Sequence, residues 1–363
     1  MKITKVLIHG ATNTSNFGDV LFASIVFKRL SSVEGIDAYF FEFPRFGVGE
    51  FVRKEISYSK RISLKNALAC EKFVYMPGGY FGDDRKSLRK ALKRYFRYVC
   101  IGSWFRKHNK VIIISGLGGG PLYYSFVRKA VVRIINSASF VSFRDIESKN
   151  YFLEHGVTNN CVVTADAALT ITSDDIPNLD LTVKQEIDQK IGKRKIIFLH
   201  VSSDEKIDRN IAEKIVPAVN RYSEENDFGI VLGFDGVADP TNTLVFEKIR
   251  KDYLYVYQYY SAWQLCALLN NVDIVITHKL HVGIVSSALS KSVLSFPVHQ
   301  HKTKRFYEQI NELDRCIRLS EVNQEDVLNL LRRFAMKNIE ISDEIRQLAE
   351  NNFSFIKGFS ENS

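Results

Sequence analysis

The sequence has no apolar run long enough to cross a bilayer. Its apolar stretches, such as Val111 to Ile114 and Ile274 to Ile276, are far shorter than the roughly 20 residues that a spanning helix needs. The N-terminal residues enter a strand pattern directly, without the apolar segment and cleavage site of a signal peptide. We therefore expect a cytoplasmic protein.

Cysteine is also scarce. The five cysteines are scattered, odd in number and never spaced as C-x-x-C, which argues against a disulfide framework and predicts reduced, buried thiols. His278 and His281 could ligate a metal together with His299 or His301, but no carboxylate or cysteine lies nearby at ligand spacing. We predict no metal site.

The nucleotide-binding signatures are missing as well. The loop Gly10 to Asp19 follows the first predicted strand and opens a helix, yet it contains neither G-x-G-x-x-G nor Gly-Lys-Ser/Thr. Its free N–H groups at a helix N-terminus favour an anion or a sugar hydroxyl. The alternative is that Asp19 only caps the helix.

The positive charge is confined to one half of the chain. Residues 1–170 contain 26 Lys and Arg against 13 Asp and Glu, whereas the remainder contains 24 against 28. Such asymmetry indicates an anionic partner for the first half, or else a solvated basic face. Its most basic segment, Arg85 to His108, alternates cations with apolar residues at helical spacing, which is typical of a helix on an anionic membrane or against its own sheet.

Short apolar strands alternate with helical patterns, stop at a polar segment near residue 175, and then start again. This alternation predicts parallel sheets covered by helices on both faces. We predict an α/β protein with a basic Rossmann-like domain over residues 1–172, a second over 173–340, a cleft between them, and a helical C-terminus over 341–363.

Loops at the predicted strand ends contain the candidate site residues, since open α/β sheets bind ligands there. Glycine pairs or triplets follow two strands, at Gly78-Gly79 and Gly116 to Pro121, and permit close approach to a ligand. Arg144 follows another strand and could hold a phosphate or carboxylate, unless it only pairs with Asp145. In the second half, Thr277 to Leu289 places two histidines and a lysine after a buried strand.

Taken in order, these motifs resemble those of the polysaccharide pyruvyl transferase family. No motif is specific alone, but together they cover about residues 5 to 310. The chain departs from the family pattern at Lys279, where the family has arginine, and at Ala167, where it has proline. The matching segments are Asn16-Phe17-Gly18-Asp19, Gly78-Gly79 with Asp83, Gly116 to Pro121, Arg144-Asp145 with Ser148, Asp166-Ala167-Ala168, Lys279-Leu280-His281, and Lys302 with Phe306.

The resemblance implies a GT-B-like transferase that moves the pyruvyl group of phosphoenolpyruvate onto a sugar of a cell-surface polysaccharide (a capsule or exopolysaccharide) and releases phosphate. It implies no cofactor and no metal. His281 is the candidate general acid, because imidazole titrates near neutral pH. With it, Asp19 and Arg144 form the predicted catalytic set. The predicted substrate-binding residues are Asn16, Gly18, Gly78, Gly79, Gly118, Lys279, Leu280 and Lys302.

Two other functional classes stay open. A GT-B nucleotide-sugar glycosyltransferase would need an acidic residue for the ribose, for which Asp235 or Asp239 is available. A nucleic-acid or membrane-surface binder would explain the basic half, but it lacks recognisable aromatic stacking motifs and leaves the glycine loops unexplained. We expect no nucleic-acid partner. If the acceptor is a polyprenyl-diphosphate-linked oligosaccharide, the basic helix would contact the inner face of the plasma membrane.

Overall fold

A computed structural model describes residues 3–41, 48–83, 85–298 and 300–360. The chain divides into two compact units. Unit 1 comprises residues 1–15, 19–167 and 344–363, and unit 2 comprises residues 16–18 and 168–343. The chain thus passes between units at Ala167–Ala168, near the predicted boundary at 172. The C-terminal segment, predicted as a separate element, belongs to unit 1.

The first unit is built on a parallel sheet of seven strands. Its central strands are buried on both faces, as Val6 to Ile8 and Ile112 to Ile114 show, which is why they are almost continuously apolar. The strand order is β2-β1-β3-β5-β6-β7, with β4 beside β5. The strands are β1 (Thr4–His9), β2 (Ile36–Phe40), β3 (Lys72–Tyr75), β4 (Gly78–Phe81), β5 (Val111–Gly119), β6 (Phe140–Phe143) and β7 (Val162–Val163).

Helices connect these strands. Ser63, Ser87 and Asp145 each cap the following helix by accepting a backbone N–H. A π-helical turn at Tyr95–Val99 joins α4 to α5. The helices are α1 (Phe17–Ser31), α2 (Glu50–Glu55), α3 (Leu64–Ala69), α4 (Leu88–Arg94), α5 (Cys100–Lys107), α6 (Ser125–Ser137) and α7 (Ile146–Glu154).

The paired glycines at Gly78-Gly79 were predicted to form a loop, and that prediction is wrong. They begin β4, which pairs in parallel with the end of β5. Arg94 fixes this strand from α4 by donating to the Tyr80 and Gly82 carbonyls and to the Asp83 carboxylate. Asp84 lies outside the described residues.

The second unit repeats the architecture with a five-stranded parallel sheet in the order β10-β9-β8-β11-β12. The strands are β8 (Lys195–His200), β9 (Phe228–Gly233), β10 (Leu254–Tyr257), β11 (Ile274–Thr277) and β12 (Ser292–Ser295). The helices are α8 (Leu181–Ile191), α9 (Glu205–Lys214), α10 (Val216–Glu225), α11 (Leu244–Lys248), α12 (Ala262–Asn270), α13 (Leu280–Ala288), α14 (Gln300–Gln309) and α15 (Gln324–Phe334). Within the ranges given above, no helix is long and apolar enough to cross a membrane.

The chain ends in helical segments, as predicted: α16 (Asp343–Glu350), a 3-10 segment (Asn351–Ile356) and α17 (Lys357–Ser360). The fully buried Asn352 ties the 3-10 segment to unit 1. Its side-chain oxygen accepts from Ser142 and Thr164, at 2.8 and 2.7 Å, and its amide donates to the Ala165 carbonyl at 2.8 Å. Because these partners lie on or after β6 and β7, the C-terminal segment completes unit 1.

Candidate functional site

In unit 2, polar residues gather where three neighbouring strands end. His200 is the last residue of β8, Asp235 follows β9, and His278 follows β11. Carboxyl ends of parallel strands lie on one edge of a sheet, so side chains distant in sequence meet there. We call His200, Asp235, His278 and Lys279 the histidine cluster.

Short polar contacts connect the members of this cluster. The Nδ1 atoms of His200 and His278 are 3.2 Å apart, so one of them carries the shared hydrogen. One carboxylate oxygen of Asp235 lies 3.4 Å from His200 Nε2 and 3.6 Å from Lys279 Nζ. The Lys279 side chain is 43% exposed, compared with 13% for Asp235. Lys279 can therefore reach a ligand while Asp235 remains beneath it.

The cluster shifts the pKa values of its own members. Burial alone would raise the pKa of Asp235, but the contact with His200 and the positive charge of Lys279 outweigh burial and lower it. Burial lowers the pKa of His278 well below its usual 6.5, and neighbouring His200 and Lys279 lower it further. At neutral pH, Asp235 is thus ionised and His278 is neutral, which leaves a negative charge under the Lys279 ammonium.

His281 lies on the first turn of α13 and packs against the segment 16–18. A Cβ on Gly18 would lie 1.9 Å from His281 Nδ1 and 2.3 Å from Cγ, so only glycine leaves room for this ring. The Phe17 N–H donates to the Asp235 carbonyl at 3.2 Å. The predicted residues Gly18, Lys279 and His281 are therefore together in unit 2. Gly18 has a structural role besides the predicted substrate contact.

Unit 1 contains a second cluster at the ends of β5 and β6: Gly118, Arg144, Asp145 and Asp166, which we call the arginine cluster. Arg144 is 8% exposed, and its Nη1 donates to Asp166 at 3.4 Å, while Nε lies 3.8 Å from Asp145. A Cβ on Gly118 would lie 2.4 Å from Arg144 Nε. Gly118, like Gly18, leaves the space that a candidate catalytic side chain occupies.

Asp145 and Ser148, which belong to the same matching segment as Arg144, hold this arrangement in place. Asp145 caps α7 by accepting from the Ser148 N–H at 2.7 Å. The Ser148 hydroxyl accepts from the Gly119 N–H at 3.0 Å, which fastens the glycine-rich end of β5 to α7. The alternative that Arg144 only pairs with Asp145 predicts a close ion pair. The two side chains are instead 3.8 Å apart, which leaves guanidinium N–H groups for other partners.

The other predicted residues of unit 1 lie elsewhere on its sheet edge. Asp19 is in the first turn of α1, where the helix dipole favours a carboxylate. It does not occupy the cap position, since α1 begins at Phe17. Burial raises the pKa values of Tyr80 and Tyr98, and Asp19 adds to both shifts, so its carboxylate is near both phenols. Tyr80 follows Gly78 and Gly79 on β4.

The remaining predicted residues belong to unit 2. Asn16 precedes α1 and is half-buried, and Leu280 begins α13. Lys302 is exposed on α14. His299, one of the possible metal ligands, lies outside the described residues. Elsewhere in the described chain, no three His, Cys, Asp or Glu side chains are grouped so that they could hold a metal ion.

The sequence prediction missed His200 and assigned Asp235 to the alternative function only. His200 ends a strand that otherwise contains apolar residues and lysine, and Asp235 follows a glycine-ended strand. A buried histidine at a strand's carboxyl end was the available signal, and it was present at both His9 and His200. His9 differs, since its Nε2 donates to the Arg97 carbonyl at 2.7 Å and burial lowers its pKa to about 4.

A sequence model described as "Polysaccharide pyruvyl transferase" matches residues 16–300. The chain belongs to the polysaccharide pyruvyl transferase family. The predicted resemblance is confirmed, and this pyruvyl transferase family member is a transferase enzyme. Both clusters fall within the matched residues. No curated protein matches the chain.

Solved structures share the fold of this pyruvyl transferase family member at low identity. A UDP-GlcNAc 2-epimerase from Methanocaldococcus jannaschii has a TM-score of 0.64 at 11% identity and covers 99% of this chain and 100% of its own. The S. aureus MnaA–UDP co-structure scores 0.60 at 13% identity, covering 99% and 97%. The spinosyn forosaminyltransferase SpnP scores 0.51 at 10% identity, covering 98% and 95%. The predicted GT-B-like fold, with two parallel sheets, is confirmed.

Proposed function

We propose that the protein transfers the pyruvyl group of phosphoenolpyruvate onto a sugar of a cell-surface polysaccharide or its lipid-linked precursor. The product is a cyclic pyruvate ketal on two sugar hydroxyls, and phosphate is released. The observation that carries the proposal is His281 beside the Lys279–Asp235 pair within a family-matched segment. No cofactor is required, because phosphoenolpyruvate is itself the activated donor.

The reaction has two steps that balance without an oxidant. First, the methylene carbon of phosphoenolpyruvate takes a proton from a general acid while a sugar hydroxyl bonds to C2 and gives its own proton to a general base, which yields a methyl group and a tetrahedral phosphoketal. Then a second sugar hydroxyl bonds to C2 as the C2–O bond to phosphate breaks, and its proton leaves with the departing group. The first step needs a general acid, and we assign it to His281.

Cations are needed for the phosphate and the carboxylate of the donor. Lys279 supplies an ammonium group that is 43% exposed above the buried Asp235. Arg144 supplies a planar guanidinium that can donate hydrogen bonds to two oxygens of a phosphate or carboxylate at once. Lys302, exposed on α14, is proposed as a further phosphate contact.

The histidine cluster positions Lys279 and the chain beside His281. Asp235 holds the Lys279 ammonium through its side chain and the Phe17 N–H through its carbonyl. His200 and His278 are buried, His200 contacts the Asp235 carboxylate, and the two histidine rings contact each other. We propose that this arrangement fixes Lys279 and His281 for the proton transfer.

We propose that the acceptor sugar binds near Asp19 and the predicted substrate-binding residues. Asp19, half-buried near Tyr80 and Tyr98, is proposed to accept a hydroxyl proton or to orient the sugar. Asn16, Gly78, Gly79 and Leu280 are proposed sugar or donor contacts. None of the five cysteines, all in the described residues, forms a disulfide, which fits a reaction in the reducing cytoplasm. Four are buried as predicted, whereas Cys100 is exposed.

The alternative is a nucleotide-sugar glycosyltransferase of the same fold. Such an enzyme would use Asp235 or Asp239 to bind the ribose. However, Asp235 pairs with Lys279. Asp239 accepts hydrogen bonds from the Thr241 N–H and from the Gln258 side chain. Both carboxylates thus already have protein partners, which favours the pyruvyl transferase.

The experiment that tests the proposal incubates the protein with phosphoenolpyruvate and a panel of candidate glycans. We expect a pyruvate ketal on one glycan, seen by mass spectrometry, together with an equal amount of phosphate. His281→Ala and Arg144→Ala should each reduce the rate at least about 100-fold, whereas Glu186→Ala, on exposed α8, should leave it unchanged. Near-normal rates in both site variants would refute the assignment, and turnover of a nucleotide sugar instead would favour the alternative.

A further inference from the structure

The longest segment without an acidic side chain lies in unit 1 and ends at Arg144 of the arginine cluster. From Arg85 to Arg144 the sequence contains 14 lysines and arginines and no aspartate or glutamate. The segment includes α4, α5 and α6. Acidic side chains outside the segment pair with Arg94 and Arg144, but the segment offers none to its other cations. Those cations give this part of unit 1 a positive potential.

The same helices expose apolar side chains. Leu88 is 52% exposed, Leu92 41% and Phe96 61%, and their spacing of four residues places them along one helical face. Phe126 on α6 is 39% exposed, and the ring of Tyr95 lies 5.7 Å from it and 6.0 Å from Phe96. These rings join the two helices into one surface, which we call the apolar patch: Leu88, Leu92, Phe96 and Phe126.

Cations border this patch. Arg89 and Lys93 each follow a leucine of the patch by one residue, and both are exposed. Arg85 and Lys86, also exposed, precede the helix. Arg94 is different, because it pairs with the buried Asp83 inside unit 1. Arg94 therefore attaches α4 to unit 1, whereas Arg89 and Lys93 are exposed to solvent.

We propose that the apolar patch and its basic border form a docking surface for a bilayer that contains anionic lipid. Aliphatic side chains such as Leu88 and Leu92 have no stacking partner on a nucleic acid, but they enter the boundary between headgroups and acyl chains. Lysines and arginines beside them attract the anionic headgroups. The combination thus fits a lipid surface better than an RNA.

This docking is independent of the proposed reaction. The residues of the patch belong to neither cluster, so their variants should turn over a water-soluble acceptor at the wild-type rate. Docking would place unit 1 at the surface where a lipid-linked acceptor is held. Failure of docking would leave the proposed chemistry untouched, and failure of the chemistry would leave docking untouched.

The test is sedimentation of the full chain with vesicles of 30% phosphatidylglycerol in phosphatidylcholine, and with pure phosphatidylcholine. We expect binding to the first only. Arg89→Gln/Lys93→Gln should weaken it about 30-fold, and Leu92→Ser/Phe96→Ser at least about tenfold. The matched controls are Lys184→Gln/Lys190→Gln and Leu181→Ser on exposed α8, which should each change binding less than about threefold.

Three results would overturn the proposal. The wild-type protein could fail to bind phosphatidylglycerol vesicles. The patch variant Leu92→Ser/Phe96→Ser could bind as tightly as wild type, which would leave only unspecific charge attraction. Finally, a single-stranded oligonucleotide could bind more tightly than the vesicles and depend on Leu92 and Phe96, which would make nucleic acid the partner.

Discussion

Replacing Gly18 by alanine should inactivate the enzyme while leaving it folded. The new Cβ would lie 1.9 Å from His281 Nδ1. Non-bonded heavy atoms rest about 3.5 Å apart, so the imidazole must withdraw by about 1.6 Å. A misplacement of about 1 Å can reduce a rate about 100-fold, which corresponds to about 2.7 kcal/mol in the activation barrier.

The stability of the Gly18→Ala variant should change little. The clashing atoms belong to the His281 imidazole, including its Cγ, so the whole ring must rotate about the Cα–Cβ bond. Alanine is also favoured over glycine in a helix by up to about 1 kcal/mol, and Gly18 lies in the first turn of α1. We therefore expect a thermal midpoint close to that of the wild type and a loss of turnover at least about 100-fold.

The assay is phosphate release from phosphoenolpyruvate in the presence of the acceptor, beside thermal unfolding. Gly236→Ala is the matched control, because a Cβ there meets no atom within 4 Å. In a His281→Ala background, Gly18→Ala should have almost no further effect, since the ring it displaces is gone. Normal turnover of Gly18→Ala, or a full additional loss in that background, would refute the reasoning.

Three further predictions concern other parts of the molecule. Lys279→Arg, which restores the family residue, should keep the rate of phosphate release within about threefold of wild type. Lys279→Met should lower that rate about 100-fold. Equal rates for the two variants would exclude a role for the positive charge. Asn352→Ala removes four buried side-chain hydrogen bonds and should lower the free energy of unfolding by about 3 kcal/mol in urea, unlike Asn351→Ala. The pKa of His9 is about 4 in the folded protein and 6.5 when the side chain is exposed. As the pH drops below 6.5, the unfolded chain binds a proton at His9 that the folded protein does not, so the free energy of unfolding decreases. Between pH 7.5 and 5.5, protonation of His9 in the unfolded chain should lower the free energy of unfolding by about 1.4 kcal/mol. Urea unfolding of His9→Gln should lack this decrease. The same pH dependence in His9→Gln and the wild type would contradict the prediction.

Most of the fold follows from local patterns in the sequence. Buried parallel strands are short apolar runs, and the runs at Val6 to Ile8 and Ile274 to Ile276 indicate them directly. Gly78-Gly79 was misassigned because glycine weakens strands in general, whereas β4 is short and supported by Arg94 from α4. Nothing local indicated that the C-terminal segment belongs to unit 1, since Asn352 bonds to residues about 190 to 240 positions away.

The candidate site was predictable where a motif is continuous. Lys279, Leu280 and His281 are adjacent, so the sequence indicated them together. His200 and Asp235 join them only through the strand order β9-β8-β11, which a sequence does not display. The roles of Gly18 and Gly118 depend on side chains far along the chain, and for that reason the glycines were assigned to ligand approach alone.

The measurement that tests the central claim most directly is mass spectrometry of the glycan after reaction with phosphoenolpyruvate in D₂O. If the enzyme protonates the methylene carbon and forms the ketal, the product gains one pyruvate ketal with a single deuterium in its methyl group. His281→Ala should give neither the ketal nor the deuterium at a comparable rate. An unmodified glycan across the acceptor panel, or a ketal formed equally fast by His281→Ala, would contradict the account.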